Sequence, residues 1–270
     1  MRKEKLIEQI REKKSCLIVG LDTDIERIPE HLKEADDPIF EFNRQIINAT
    51  APHCVGFKPN IAFYEAHGVS GCRSLQRTID YINENFPDHF TIADAKRGDI
   101  GNTSRMYAKA FLQDLNFDSV TVAPYMGNDS VEPFLEFSDK WTILLALTSN
   151  GGAFDFQTQL LDGEELYKRV IEVSKGWKGS EQLMYVVGAT KAEYLKEIRE
   201  RLPKAFFLVP GVGSQGGSLE DVMRNGMNDE VGLLINSSRG IIYAANDENF
   251  AGAAATEAKR LAEKMAEFID

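Results

Sequence analysis

Residues 16–30 read CLIVGLDTDIERIPE, an apolar, β-branched run that stops at Asp22 and gives way to polar and turn-forming residues. Near-continuous hydrophobicity, rather than alternation, suits a strand covered on both faces, as in a parallel sheet. An open doubly wound sheet usually follows its first strand with a GxGxxG turn; here that turn reads GLDTDIERIPE. The same kind of run recurs along the chain. CVGFKPN begins at Cys54, FTIADAK at Phe90, SVTVAPY at Ser119 and TILLALTS at Thr142, and LMYVVGAT, FFLVPG and VGLLINSS follow from Leu183, Phe206 and Val231. Helical segments separate them. Asp36 and Asp37 precede Pro38, an N-cap followed by proline at the first helical position. Near the C-terminus Ala254, Ala258, Leu261, Met265 and Phe268 form one apolar stripe at helical spacing. Eight strand–helix units in about 250 residues predict an α/β fold, the (β/α)8 barrel of the TIM type. No linker or low-complexity tract splits the 270 residues, so a single domain over 1–270 is expected, with an N-terminal helix at about residues 3–14.

Composition narrows the function. With 31 Lys+Arg against 42 Asp+Glu, the net charge of −11 disfavours phosphate backbones and anionic lipid unless a basic patch opposes it. None is visible, because Lys and Arg are interleaved with Asp and Glu. Neither nucleic acid nor membrane is expected as a partner, and no apolar run approaches the roughly 20 residues that span a bilayer. Cys16, Cys54 and Cys72 are an odd count without CxxC spacing, and Cys16 opens an apolar run, the pattern of a buried thiol in a reducing compartment. A cytoplasmic protein is expected. His31, His53, His67 and His89 show neither HxxxH nor HExxH spacing, so they are expected at the surface or at helix ends, with no metal site.

In a barrel of this type the chemistry sits at the C-terminal ends of the strands, and phosphate is held after strands 7 and 8. Strand 3 ends in Asp94-Ala95-Lys96-Arg97-Gly98-Asp99. On an extended strand Asp94 and Lys96 share a face, and buried ions cost several kcal/mol each unless paired. Strand 2 ends in Lys58, within reach of Asp94, and strand 1 in Asp22, which either holds a sugar hydroxyl or caps the next helix. The plainer reading of these charges is an ion-pair network at the barrel mouth. After strand 7 comes Pro210-Gly211-Val212-Gly213-Ser214-Gln215-Gly216-Gly217-Ser218, and after strand 8 Asn236-Ser237-Ser238-Arg239-Gly240-Ile241. Glycines bring backbone N–H groups close to an anion, and Arg grips phosphate bidentately. Either loop alone is an ordinary turn; both together point to a phosphorylated small molecule.

From Asp94 to Thr103 the residues fit D-x-K-x-x-D-I-x-x-T, and with Lys58 they complete an alternating Lys-Asp-Lys-Asp set. In these residues, and from Gly20-Leu21-Asp22 to Ser238-Arg239-Gly240, the chain resembles the orotidine 5′-phosphate decarboxylases in their longer bacterial form. The resemblance implies that orotidine 5′-phosphate loses CO2 from C6 to give uridine 5′-phosphate, with no cofactor and Lys96 as proton donor. It implies a homodimer in which Asp99 and Thr103 reach the partner's active site. Asp22 and Lys58 would hold ribose hydroxyls, Gln215 and Arg239 the phosphate, and Ser149 the pyrimidine edge, with Ser238 and Thr103 also among the substrate-binding residues. Asp94 and Asp99 would aim Lys96. One departure is Asn150-Gly151-Gly152, where Asn-Pro-Gly is expected, a change that loosens the backbone. The rival readings are a Mg²⁺-dependent sugar-phosphate aldolase or decarboxylase of the same superfamily and a barrel that binds nucleotide without catalysis. Lys58 counts against the first, since an ammonium beside Asp94 disfavours a divalent cation there.

Overall fold

The structure, a computed structural model, describes residues 1–189, 192–212 and 217–270. Its principal strands fall on the eight apolar runs: β1 Leu17–Leu21, β2 Gly56–Pro59, β3 Phe90–Arg97 and β4 Ser119–Val122. β5 is Trp141–Leu147, β6 Leu183–Val187, β7 Phe207–Pro210 and β8 Leu233–Ser237. The hydrogen-bonded order β1-β8-β7-β6-β5-β4-β3-β2 closes into a barrel, so each strand lies beside its neighbours in the chain. The fold is the expected parallel α/β barrel with flanking helices. Contacts divide the chain into two compact units, Met1–Ala95 with Leu115–Phe117 and Asn236–Asp270, and Lys96–Asp114 with Asp118–Ile235.

In the first unit β1 pairs with β2 in parallel register, Gly20 opposite Lys58 and Leu21 opposite Pro59. Gly56 has to be glycine, because a Cβ there would run into the Phe90 carbonyl of β3. The helix Pro38–Thr50 starts as the sequence predicts, with the Asp37 carboxylate accepting from Phe40 N–H at 3.1 Å. The N-terminal helix is Lys3–Lys13, closed by Lys14 in a left-handed conformation (φ 47°). The last helix, Phe250–Ala266, buries Ala254, Ala258 and Met265, but Phe268 lies beyond its end and Ile269 is the buried residue there.

One histidine departs from expectation. His89, just before β3, is buried: its ring stacks on Phe57 (centroids 5.5 Å apart) and its Nε2 is 2.9 Å from Lys13 Nζ. Burial first, then the Lys13 charge, pushes its pKa down to about 4. Cys16 and Cys54 are buried free thiols, and Cys72 is exposed.

In the second unit β4 pairs with β5 from Ser119↔Trp141 to Val122↔Leu144, and β6 with β7 through Tyr185↔Phe207 and Val186↔Leu208. A small antiparallel hairpin, Leu160–Leu161 with Glu164–Glu165, was not anticipated. It turns through Asp162 and Gly163, both at positive φ (53° and 87°), the backbone a two-residue Asp-Gly hairpin turn adopts. Among the described residues no helix is long and apolar enough to cross a membrane, and no group of three or more His, Cys, Asp or Glu is placed to hold a metal ion.

Candidate active site

Lys58 lies at the C-terminal end of β2 with only 3 % of its surface exposed. Its ammonium donates to Asp94 Oδ2 at 2.8 Å and stands 3.8 Å from Asp22 Oδ1. Burial alone would lower the Lys58 pKa, but attraction to Asp94 and Asp22 outweighs it and the pKa is raised. A buried ion costs several kcal/mol of desolvation, so Lys58 depends on its carboxylates; losing one partner of such a pair costs about 3–5 kcal/mol. Asp22 Oδ1 is itself buried and accepts no hydrogen bond among the described residues. That oxygen, beside an ammonium, is the acceptor a ligand hydroxyl would complete.

The end of β1 that carries Asp22 is anchored by a buried polar network. Tyr64 Oη donates to the Leu21 carbonyl at 3.1 Å, and Asn43 Nδ2 donates to Tyr64 Oη at 2.9 Å and to Thr78 Oγ1 at 3.0 Å. Thr23 Oγ1 donates to Asn43 Oδ1 at 2.6 Å. None of these four residues stood out in the sequence. The available signal was Asn43 itself, a polar residue on the apolar face that Ile39, Ile46 and Ile47 bury. Asn60, just past β2, bridges Asp94 and caps the short helix Ile61–Glu65.

β8 ends in Asn236 and Ser237, both buried, and the chain continues through Ser238 into the one-turn helix Arg239–Ile242. Asn236 Nδ2 donates to the Ile18 carbonyl at 3.1 Å, fixing this end to β1. Gly20 is required here, because a Cβ would overlap the Ser238 hydroxyl. Ser238 is half-buried and Arg239 exposed, so the guanidinium is presented at the surface of a firmly seated turn.

The second unit begins at Lys96, the residue next to last in β3. Its backbone is left-handed (φ 48°), and its N–H donates to Thr121 Oγ1 at 2.9 Å. A non-glycine residue held in that region costs of order 1–3 kcal/mol and marks a conformation imposed by its surroundings. The buried ammonium beside Asp94 is Lys58; Lys96 is exposed. Asp99 is half-buried, its Oδ1 accepting from Ile100 N–H at 2.7 Å, and Thr103 is exposed on the helix Gly101–Ala108.

Ser149 follows β5, and Gly188 after β6 packs on it so closely that a Cβ would sit 2.7 Å from Ser149 N. The adjoining loop is tied by Gln157, whose Oε1 accepts from Thr148 N–H at 2.8 Å. Gly151 and Gly152 are not left-handed, and turn bonds from Ala153 N–H to Asn150 O (3.1 Å) and from Phe154 N–H to Gly151 O (3.2 Å) lead into the helix Ala153–Phe156. The Gly-Gly departure therefore sits in an ordinary helical entry. After β7, Val212 and Gly217 bridge to each other, and Ser218 caps the helix Leu219–Gly226. Gln215 lies outside the described residues.

A family model described as "Orotidine 5'-phosphate decarboxylase / HUMPS family" matches residues 15–254. That description joins two names, whereas the relatives carry one. The chain is 65 % identical to an orotidine 5′-phosphate decarboxylase of Flavobacterium johnsoniae over 100 % of this chain and 99 % of that protein. It is 58 % identical to one from Bacteroides fragilis, over 99 % of this chain and 98 % of the relative. Among solved structures, the OMP decarboxylase of Leishmania donovani superposes with a TM-score of 0.81 at 32 % identity, covering 97 % of this chain and 100 % of that one. The strand-end charges, the Ser238-Arg239 turn and these matches agree, and the chain belongs to the orotidine 5′-phosphate decarboxylase / HUMPS family.

Proposed function

We propose that this protein decarboxylates orotidine 5′-phosphate to uridine 5′-phosphate and CO2, the closing step of pyrimidine nucleotide synthesis, without metal or cofactor. The observation that carries the site is the buried Lys58 ammonium, 2.8 Å from Asp94 and 3.8 Å from Asp22 Oδ1, an oxygen that accepts no hydrogen bond among the described residues. Asp22 and Lys58 bind ribose hydroxyls, which supply the hydrogen bond that Asp22 Oδ1 lacks. Arg239 and Ser238, with Gln215, hold the phosphate, and Ser149 reads the pyrimidine edge.

The chemical difficulty is the carbanion at C6, whose electron pair lies in the ring plane and is poorly delocalised. The C6–carboxylate bond breaks, CO2 leaves, the pair stays on C6, and a proton from the Lys96 ammonium forms the new C6–H bond. Lys96 then recovers its proton from solvent. A fixed ammonium near the developing charge stabilises it before the transfer, and general-acid help contributes about 10²–10⁴-fold. Asp94 and Asp99 aim that ammonium. The constrained backbone at Lys96 supports this role, because it fixes the direction in which a long side chain leaves the strand.

The protein acts as a cytoplasmic homodimer, with Asp99 and Thr103 crossing to the partner's active site. Exposed Ile100 (56 %) and Met106 (51 %) beside them are the apolar surface such a contact would cover. Residues 1–270 act as one domain, so tryptophan fluorescence and circular dichroism should report a single unfolding transition; two separate transitions would contradict this.

The test is the ultraviolet loss of orotidine 5′-phosphate with EDTA present. Sustained turnover supports the reading. Activity abolished by the chelator indicates a metal-dependent enzyme instead, and nucleotide binding without any absorbance change indicates a non-catalytic barrel.

A further inference from the structure

Tyr243 is the residue immediately after the helical turn Arg239–Ile242, and its N–H donates to the Arg239 carbonyl at 3.3 Å. Its hydroxyl makes two bonds to the segment that follows β1. It donates to the Asp22 carbonyl at 3.0 Å and accepts from Asp24 N–H at 2.7 Å. One hydroxyl has one proton and two lone pairs, so both bonds hold at once. The ring has little freedom to move independently of this arrangement. The Arg27 guanidinium lies 3.9 Å from its centroid on one contact, and Phe42 stacks at 5.9 Å on another. Burial first, opposed by the Asp24 N–H bond and Arg27, raises the Tyr243 pKa to about 12, so the proton donated to Asp22 stays on the phenol.

Tyr64 provides the internal comparison. It also holds the end of β1, donating to the Leu21 carbonyl at 3.1 Å, but it comes from the helix Ile61–Glu65, and its hydroxyl's bonds among the described residues are to Leu21 and Asn43. Two tyrosines therefore fix adjacent carbonyls, Leu21 and Asp22, from different sides. Of the two tyrosines, Tyr243 is the one that joins this backbone to the element carrying Arg239.

We propose that Tyr243 is a positioning residue that couples phosphate capture at Arg239 to the placement of the Asp22 carboxylate for the ribose. The coupling rests on the assignment of Arg239 to phosphate and Asp22 to ribose made above. Phosphate settling on Arg239 fixes the Arg239–Ile242 turn, the turn fixes Tyr243 through its main-chain bond, and the phenol holds Asp22 and Asp24 in register. Part of the phosphate's binding energy is thereby expressed at a hydroxyl-binding group that the phosphate never touches.

A double-mutant cycle on kcat/KM for orotidine 5′-phosphate tests the link. Tyr243→Phe should lower kcat/KM about tenfold, the size expected for two lost hydrogen bonds. Combined with Arg239→Ala it should lose little beyond Arg239→Ala alone, whereas Tyr64→Phe with Arg239→Ala should lose the sum of the two single effects. Additivity for Tyr243→Phe overturns the proposal. A second measurement needs no variant at position 243. In the wild-type protein, inorganic phosphate at a concentration that inhibits turnover should slow amide exchange of Asp24, and Arg239→Ala should remove that protection. Unchanged exchange despite inhibition also overturns it. If Arg239→Ala leaves KM for orotidine 5′-phosphate unchanged, the phosphate assignment is what fails; if wild-type protein shows no turnover, the catalytic reading is.

Discussion

Lys58 is buried between carboxylates and Lys96 is exposed on a left-handed backbone, and the proposed mechanism gives the two ammonium groups different work: Lys58 holds the ribose and Lys96 delivers the proton. Lys96→Ala should therefore cut kcat by at least about 10²–10⁴-fold while changing KM for orotidine 5′-phosphate less than tenfold, in a steady-state absorbance assay. A variant with near-normal kcat would remove Lys96 from the chemistry. A second residue-scale expectation concerns acid stability. His89 titrates near 4 in the folded protein against an ordinary value of 6.5, so on acidification the unfolded chain takes up its proton first. The stability that the neutral ring contributes is complete above about pH 6.5 and drains away between there and about pH 4. Urea midpoints of His89→Gln should fall less than wild type from pH 7 to 4.5; parallel losses would contradict the assignment. The charged strand ends were legible because residue type and spacing carry their meaning. His89 was not, because a lone histidine has no pattern, and the conformation of Lys96 was not, because side-chain alternation presupposes the extended backbone that it departs from.

The elements were more legible than the details that tune them. Eight apolar runs became eight strands because burial on both faces leaves a continuous signature, and Asp37-Pro38 announced a helix start through capping chemistry. The Leu160–Glu165 hairpin escaped because its strands are two residues long, too short for any periodicity. The close approach of β1 to the exit of β8 also left no local trace, since it joins Gly20 to Ser238 across most of the chain. That approach makes a prediction. Gly20→Ala should displace Ser238 and raise KM for orotidine 5′-phosphate about tenfold, an overpacking cost of about 1–3 kcal/mol delivered to the turn proposed to hold phosphate. Gly151→Ala should be neutral or stabilise by about 0.4–1 kcal/mol, since no atom lies within 4 Å of the added methyl. Thermal melts and Michaelis constants for both variants check this, and an unchanged KM in Gly20→Ala would contradict it.

At the scale of the whole molecule, barrel class and family were legible because eight similar units and the D-x-K-x-x-D-I-x-x-T stretch survive in a single sequence. The network of Thr23, Asn43, Tyr64 and Thr78 was not, because its members lie up to 55 residues apart (78 − 23) and meet only in the folded first unit. The proposed dimer makes the remaining prediction. Lys96→Ala and Asp99→Ala chains, each inactive alone, should recover roughly a quarter of wild-type activity when dissociated and mixed, because half the dimers are mixed and each holds one intact site. No recovery would mean that each chain completes its own site. Proton delivery by Lys96 is tested most directly by a crystal structure with uridine 5′-phosphate bound, read as the distance from Lys96 Nζ to C6 of the ring. We expect about 3–3.5 Å; an ammonium more than about 5 Å away, beyond direct proton transfer, would contradict the mechanism.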